Sequence, residues 1–204
     1  MVKNIIFGLN NVLIKTYRYS VFEIESIKSK PYWHKLLIVH LCPELVNIIF
    51  PGNYNNNFLT HFIIDEYLYI IFYRHKINYL FNLLSHNHKL ILYTSFNELF
   101  VTNVVIALNK LLGFNPFCKI FHKNFSIDNI TLLKFMDINT NNTIIVDINN
   151  NFFNNYYIYQ IKNYEHKYKQ NNLFRSCIPI FDYKTLLNDD EFDIAINHII
   201  NYNF

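Results

Sequence analysis

The chain has 204 residues, 51% hydrophobic and 16% charged, with a formal net charge of +3. That length can bury a sizeable core, the apolar content excludes global disorder, and so mild a charge does not call for nucleic acid. Charged residues fall below the ordinary share of about 25%, and 20 Phe and 16 Tyr stand against 3 Gly. This is the bias of AT-rich coding, and it leads us to expect an AT-rich virus, such as a large DNA virus of insects, or an AT-rich parasite. Cys42, Cys118 and Cys177 form no CxxC pair and leave an odd count, which reads as small buried thiols in a reducing compartment. No charged n-region followed by an apolar h-region marks a secretory signal. The greasiest stretch, 36–50, is interrupted by His40, Pro43, Glu44 and Asn47 and is too short to span a bilayer. An intracellular protein of the cytoplasm, nucleus or a virion is expected, not a secreted one.

In chain order, Ile5 to Phe7 read as a strand that breaks into a polar loop. Residues 14–57 read as an insertion, with a helix around Trp33 to Ile49, interrupted near Pro43 and closed by the Pro51-Gly52-Asn53 turn. Leu68 to Phe72 are a strand or hairpin arm. Ile77, Leu80, Phe81 and Leu84 then take helical spacing, and Leu90 to Tyr93 form a buried strand. A helix from Asn97 to Leu112 places Val101, Val104, Val105, Leu108 and Leu111/Leu112 on one face and stops at Gly113. Ser95 and Glu98 have capping-box spacing at its start. Cys118 to Phe121 are a short strand, Ile130 to Met136 a brief helix, and Ile144 to Val146 a strand. A second insertion covers 151–171, Ile178 to Phe181 form the last strand, and Glu191 to Ile200 the last helix. This alternation predicts a single α/β domain over 1–204: a Rossmann-like parallel sheet with helices on both faces, two insertions, and its site at the carboxyl ends of the strands.

Four segments carry chemistry. The first, Ile5-Ile6-Phe7-Gly8-Leu9-Asn10-Asn11-Val12-Leu13, resembles the opening of the haloacid dehalogenase (HAD) phosphatases, an apolar strand followed by D-x-D-x-[TV]-[LV]. The second, Leu68 to Thr94, is similar to a stretch that the NLI-interacting-factor-like phosphatases write as VYVLKRPHVDEFLxxxxxxFEVVLFTA. These are the small phosphatases of the RNA polymerase II C-terminal domain and their relatives. Arg74 falls on the family Arg, His75 replaces the Pro, and Thr94 lands on the hydroxyl residue that ends the second motif strand. The third, Thr143 to Asn150, resembles V-I-I-V-D-N-S-P. The fourth, Ile178-Pro179-Ile180 followed by Asp189-Asp190-Glu191-Phe192, resembles the family's closing strand and acidic helix start. The match runs in order from residue 3 to about 198, leaving out the two insertions.

The resemblance implies an aspartate nucleophile and an aspartate acid/base, and this chain has neither. Gly8 stands at the nucleophile position and Asn10 at the acid/base position; the first has nothing to phosphorylate and the second cannot shuttle a proton. The family's lysine would fall near Asp128 or Asn129, with Lys123 and Lys134 flanking. Of the implied magnesium ligands Asp147 survives, while Ile148 replaces an Asn, and a hard dication wants several oxygens. The expected state is therefore a pseudophosphatase with relic positions Gly8, Asn10, Thr94 and Asp147, no cofactor, and a protein partner, possibly a phosphorylated or extended segment, or a scaffolding role in a viral assembly or transcription complex. Magnesium enters only under the rival expectation of an active serine/threonine phosphatase with a misplaced nucleophile. A second rival is a purely structural subunit. Candidate partner contacts are Arg74 and the basic-aromatic run Lys162, Tyr164, Lys167, Tyr168 and Lys169, although such a run is more often a solvated face. His86 and His88 in a turn, with Cys118 and His122 elsewhere, lack zinc-finger spacing, and the turn histidines read as solvated before they read as a metal site. The first motif strand begins too early for a mitochondrial presequence, so import there is not expected.

Overall fold

The computed structural model describes residues 3–20, 59–122, 142–148, 157–162 and 189–202. The chain runs β1 (Asn4–Gly8), β2 (Ile14–Ser20), β3 (Leu59–Ile64), β4 (Tyr67–Tyr73), α1 (Ile77–Leu84), β5 (Lys89–Tyr93), α2 (Glu98–Leu112), β6 (Phe117–Phe121), β7 (Thr143–Asp147), β8 (Tyr157–Gln160) and α3 (Glu191–Asn201). Five strands form a sheet in the order β6-β5-β1-β7-β8, and every pairing in it is parallel. Its three central strands are aliphatic on both faces, as a parallel sheet covered on both sides requires. Ile5, Ile6 and Phe7, Leu90, Ile91 and Leu92, and Ile144, Ile145 and Val146 are all buried.

The pleat separates two cores. On one face Phe7 meets the edge of Phe81 of α1 at 5.8 Å, and Phe81 meets Phe117 of β6 at 5.2 Å. On the other face Ile6, Ile91 and Ile145 cluster, with Tyr93, Phe121 and Ile158 packed against them. α1 buries Ile77, Leu80, Phe81 and Leu84, as their spacing predicts, and lies beside α3. Lys76 just before it takes a left-handed φ of 61° and ion-pairs with Asp193 of α3. α2 buries Phe100, Val101, Val104, Val105 and Leu108, and it ends at Gly113, whose φ of 81° suits a residue without Cβ.

One expectation needs correcting, and both expected insertions prove to contain a strand. The cap of α2 is Asn97, whose Oδ1 accepts the Phe100 N–H at 2.9 Å, and Ser95 with Glu98 does not form the start. The expected insertion 151–171 contains β8, a working strand of the main sheet paired to β7 from Ile144↔Tyr157 to Asp147↔Gln160. The expected insertion 14–57 opens with a strand, β2. The helices expected around Trp33 to Ile49 and Ile130 to Met136, and the strand Ile178 to Phe181, lie outside the described residues.

Contacts divide the chain into two units, Met1–Ile14 with Lys76–Tyr164 and Asp190–Phe204, and Lys15–His75 with Glu165–Asp189. The main sheet belongs to the first. The second carries a three-stranded sheet in the order β2-β4-β3, in which β3 and β4 form an antiparallel hairpin turning at Asp65, φ 52°. Phe62 and Tyr69 stack across the hairpin at 5.9 Å, and the Arg18 guanidinium covers the Tyr67 ring at 4.0 Å. Arg74 is 2% exposed, and its Nε and Nη2 donate to the two Asp189 oxygens at 2.7 and 3.3 Å.

Candidate functional site

The registers of β5, β1 and β7 bring the relic positions to one place. Gly8 ends β1 opposite Tyr93, the residue before Thr94. On its other side Phe7 pairs with Val146, the residue before Asp147. Thr94, Gly8 and Asp147 therefore occupy the carboxyl ends of three adjacent strands, where open parallel sheets place their sites.

The closest contact there explains why position 8 is glycine. A Cβ built on Gly8 would lie 2.6 Å from Asp147 Oδ2 and 3.1 Å from Val12 Cγ2. The Asp147 carboxylate thus stands over the Gly8 backbone, in the space a side chain at position 8 would need. Close approach, rather than a special backbone angle, sets this position apart: a Cβ here would require the Asp147 carboxylate to shift. The chain then turns sharply: the Leu9 carbonyl accepts the N–H groups of both Leu13 and Ile14, at 3.0 and 3.1 Å. Val12, Leu13 and Ile14 are wholly buried beneath. Asn10 is exposed and meets Ile14 through a backbone bridge, and Asn11 has a φ of 62°.

Thr94, 6% exposed, is engaged in steering the chain. Its N–H donates to the Phe121 carbonyl at 3.0 Å and its hydroxyl accepts the Phe96 N–H at 3.2 Å, which turns β5 into α2. The Asp147 carbonyl accepts the Ile161 N–H at 2.9 Å, and the Ile148 carbonyl accepts the Gln160 amide at 3.1 Å. β8, unforeseen in the sequence, thus fastens the far side of the relic site. His122, which follows β6, reaches Glu98 Oε2 at 4.0 Å on the near side.

Among the described residues this site offers magnesium few donors. Asp147 offers one carboxylate, Ile148 brings an apolar side chain with its carbonyl already engaged, and Asn10 is exposed. Among the described residues no three of His, Cys, Asp and Glu gather as a metal site. Lys123, Asp128, Asn129 and Lys134 lie outside the described residues. His86 Nδ1 is bonded to the Asn82 carbonyl at 2.7 Å and His88 Nδ1 accepts from Lys3 N at 3.3 Å. Cys118, expected as a buried thiol, is exposed, and its Sγ donates to the Leu90 carbonyl at 3.2 Å.

Of the candidate partner residues, Arg74 is buried and its guanidinium is held by Asp189. Lys162 is exposed, with Nζ 2.6 Å from Glu191 Oε1. The Glu191 carboxylate, by hydrogen bond and then by charge, raises its pKa above the ordinary range. Tyr164, Lys167, Tyr168 and Lys169 lie outside the described residues.

Neither a protein-family model nor a curated protein sequence matches the chain. Solved structures do. The fission yeast RNA polymerase II C-terminal-domain phosphatase Fcp1, in a variant bound to beryllium fluoride, is similar over 97% of this chain and 51% of its own, with 14% identity and a TM-score of 0.52. A second Fcp1 structure is similar over 100% of this chain and 55% of its own, again with 14% identity and a TM-score of 0.52. A HAD-family enzyme of Bacteroides thetaiotaomicron, in complex with magnesium and inorganic phosphate, matches 86% of this chain and 100% of its own with 14% identity and a TM-score of 0.48. The chain spans about half the length of the Fcp1 structures it resembles. At such identity the likeness is one of fold alone, an α/β fold that in this chain has a five-stranded parallel sheet.

Proposed function

We propose that the chain is a HAD-like pseudophosphatase that works by binding a protein segment, phosphorylated or extended, in place of turning it over. The observation that carries this reading is the contact at Gly8, where the Asp147 carboxylate stands 2.6 Å from the site of a nucleophile's Cβ. Position 8 has no side chain to accept a phosphoryl group, and a Cβ there would require the Asp147 carboxylate to move. The run from Gly8 to Asn11 contains no carboxylate that could take its place.

The test is hydrolysis of para-nitrophenyl phosphate and of a serine-phosphorylated peptide with magnesium, for which no turnover above background is expected. Steady turnover abolished by Asp147→Asn would overturn the proposal. The double substitution Gly8→Asp with Asn10→Asp should not restore activity, because the new Cβ meets Asp147 and Ile148 still supplies no amide. Binding is read separately, by capture of a partner from the native source followed by titration of its segment with and without phosphate. Affinity indifferent to magnesium is the expected result.

A further inference from the structure

The amino ends of the same strands hold a polar cluster that the proposed function does not use. Lys3, just before β1, is 8% exposed, and its ammonium donates to the carbonyls of Ile199, at 2.8 Å, and Tyr202 at the end of α3. Its backbone N–H donates to His88 Nδ1 at 3.3 Å, and its carbonyl accepts the Lys89 N–H at 2.9 Å. The Lys3 ammonium thus satisfies carbonyls that a helix leaves open at its end, with the charge that the helix dipole favours there. Tyr202 stacks on Tyr157 of β8 at 3.9 Å, and the Tyr157 hydroxyl meets His198 Nε2.

We infer that His88 and Lys3 form an acid-released latch on the carboxyl-terminal turn of α3. His88 can accept the Lys3 N–H only when Nδ1 carries no proton, so the neutral imidazole is the latched form. A proton on Nδ1 sets two donors face to face and adds a positive charge beside a buried ammonium. The charged or titratable groups around His88 are Lys3 just before β1, its neighbour Lys89, and His86 across the turn. Around the α3 end they are His198, Tyr202 and Tyr157. Burial first, then the Lys3 charge, holds the His88 pKa below its ordinary range, so the neutral form is the one the fold favours.

Amide hydrogen exchange of the whole chain, corrected for intrinsic rates, tests this between pH 7.5 and 5. The Tyr202 amide, which donates to the His198 carbonyl at 2.9 Å, should lose protection as pH falls while Ile5 to Phe7 keep theirs. His88→Asn, whose side-chain oxygen can accept the same N–H without titrating, should keep the turn protected at pH 5. Lys3→Met should leave it unprotected throughout. If His88→Asn loses protection as the wild type does, or if His198→Gln alone removes the pH dependence, the trigger is not His88 and the inference fails. A wild-type turn equally protected at both pH values would also overturn it.

Discussion

The two ends of the central sheet are built on different terms. At the carboxyl ends of β5, β1 and β7 stand a threonine engaged in a turn, a glycine, an exposed asparagine nearby and one carboxylate. At the amino ends of the same strands the Lys3 backbone and ammonium join β1 to His88 and to α3, and Asn4 Nδ2 donates to Thr143 Oγ1 at 3.4 Å. Open parallel sheets place their sites at the carboxyl end, and carboxylates crowded together there would repel one another. Gly8 and Asn10 add no charge to Asp147. On the proposed reading, the cohesion of this unit lies in its apolar layers and at the opposite end.

This contrast can be broken in graded steps. Phe81→Ala strikes the core that serves both ends, since Phe81 is buried and edge-packed on Phe7 and Phe117. A loss of about 3–5 kcal/mol in urea unfolding is expected, and a loss below about 1 kcal/mol would mean that the Phe7–Phe81–Phe117 stack is not a core. Lys3→Met keeps the apolar stem and leaves the Ile199 and Tyr202 carbonyls short of a donor, which should cost about 1–3 kcal/mol. Asn10→Ala, at the other end, removes an exposed amide and should stay within about 0.5 kcal/mol. Equal costs for Lys3→Met and Asn10→Ala would erase the asymmetry between the ends.

The pH dependence should also belong to the amino end. The folded His88 has a pKa below the ordinary 6.5, so between those values the unfolded chain binds the proton more readily than the folded one. Stability from this group is therefore complete above about 6.5 and is lost as pH falls through the lowered value. Wild type and His88→Asn, unfolded in urea at pH 7 and pH 5, should show the steeper decline in the wild type. The smallest effect belongs to the relic site, where magnesium should leave the melting temperature unchanged. A magnesium-dependent rise that vanishes with Asp147→Ala would show that the remaining donors still bind it.

How much of this was legible in the sequence follows from how local each signal is. β1, β5 and β7 are uninterrupted aliphatic runs, and the α1 and α2 faces repeat at helical spacing, so their places could be read directly. Gly113 marked the end of α2 because a left-handed residue there wants no Cβ. The start of α2 misled because Ser95 and Glu98 have capping-box spacing, and a sequence pattern cannot tell which side chain reaches the Phe100 N–H. β8 escaped because Tyr157 to Gln160 is a short, half-buried edge strand in an asparagine-rich stretch, with no run of fully buried residues. Motif order pointed to Gly8, Thr94 and Asp147, but the Asp147 contact at Gly8 depends on strand register. Lys3 was invisible because its partners lie 85 and 196 residues away.

The central claim is that the nucleophile position has lost its room as well as its side chain, and a double-mutant cycle between Gly8 and Asp147 tests it most directly. Gly8→Ala alone should destabilise, since the new Cβ meets the carboxylate; overpacking of this kind typically costs about 1–3 kcal/mol. In the Asp147→Ala background the closest contact is gone and Val12 Cγ2 at 3.1 Å remains, so the same change should cost at least about 1 kcal/mol less than in the wild type. Urea unfolding should show that coupling, as the claim requires. Effects that add to within about 0.5 kcal/mol would show that Asp147 does not fill the place beside Gly8, and would contradict it.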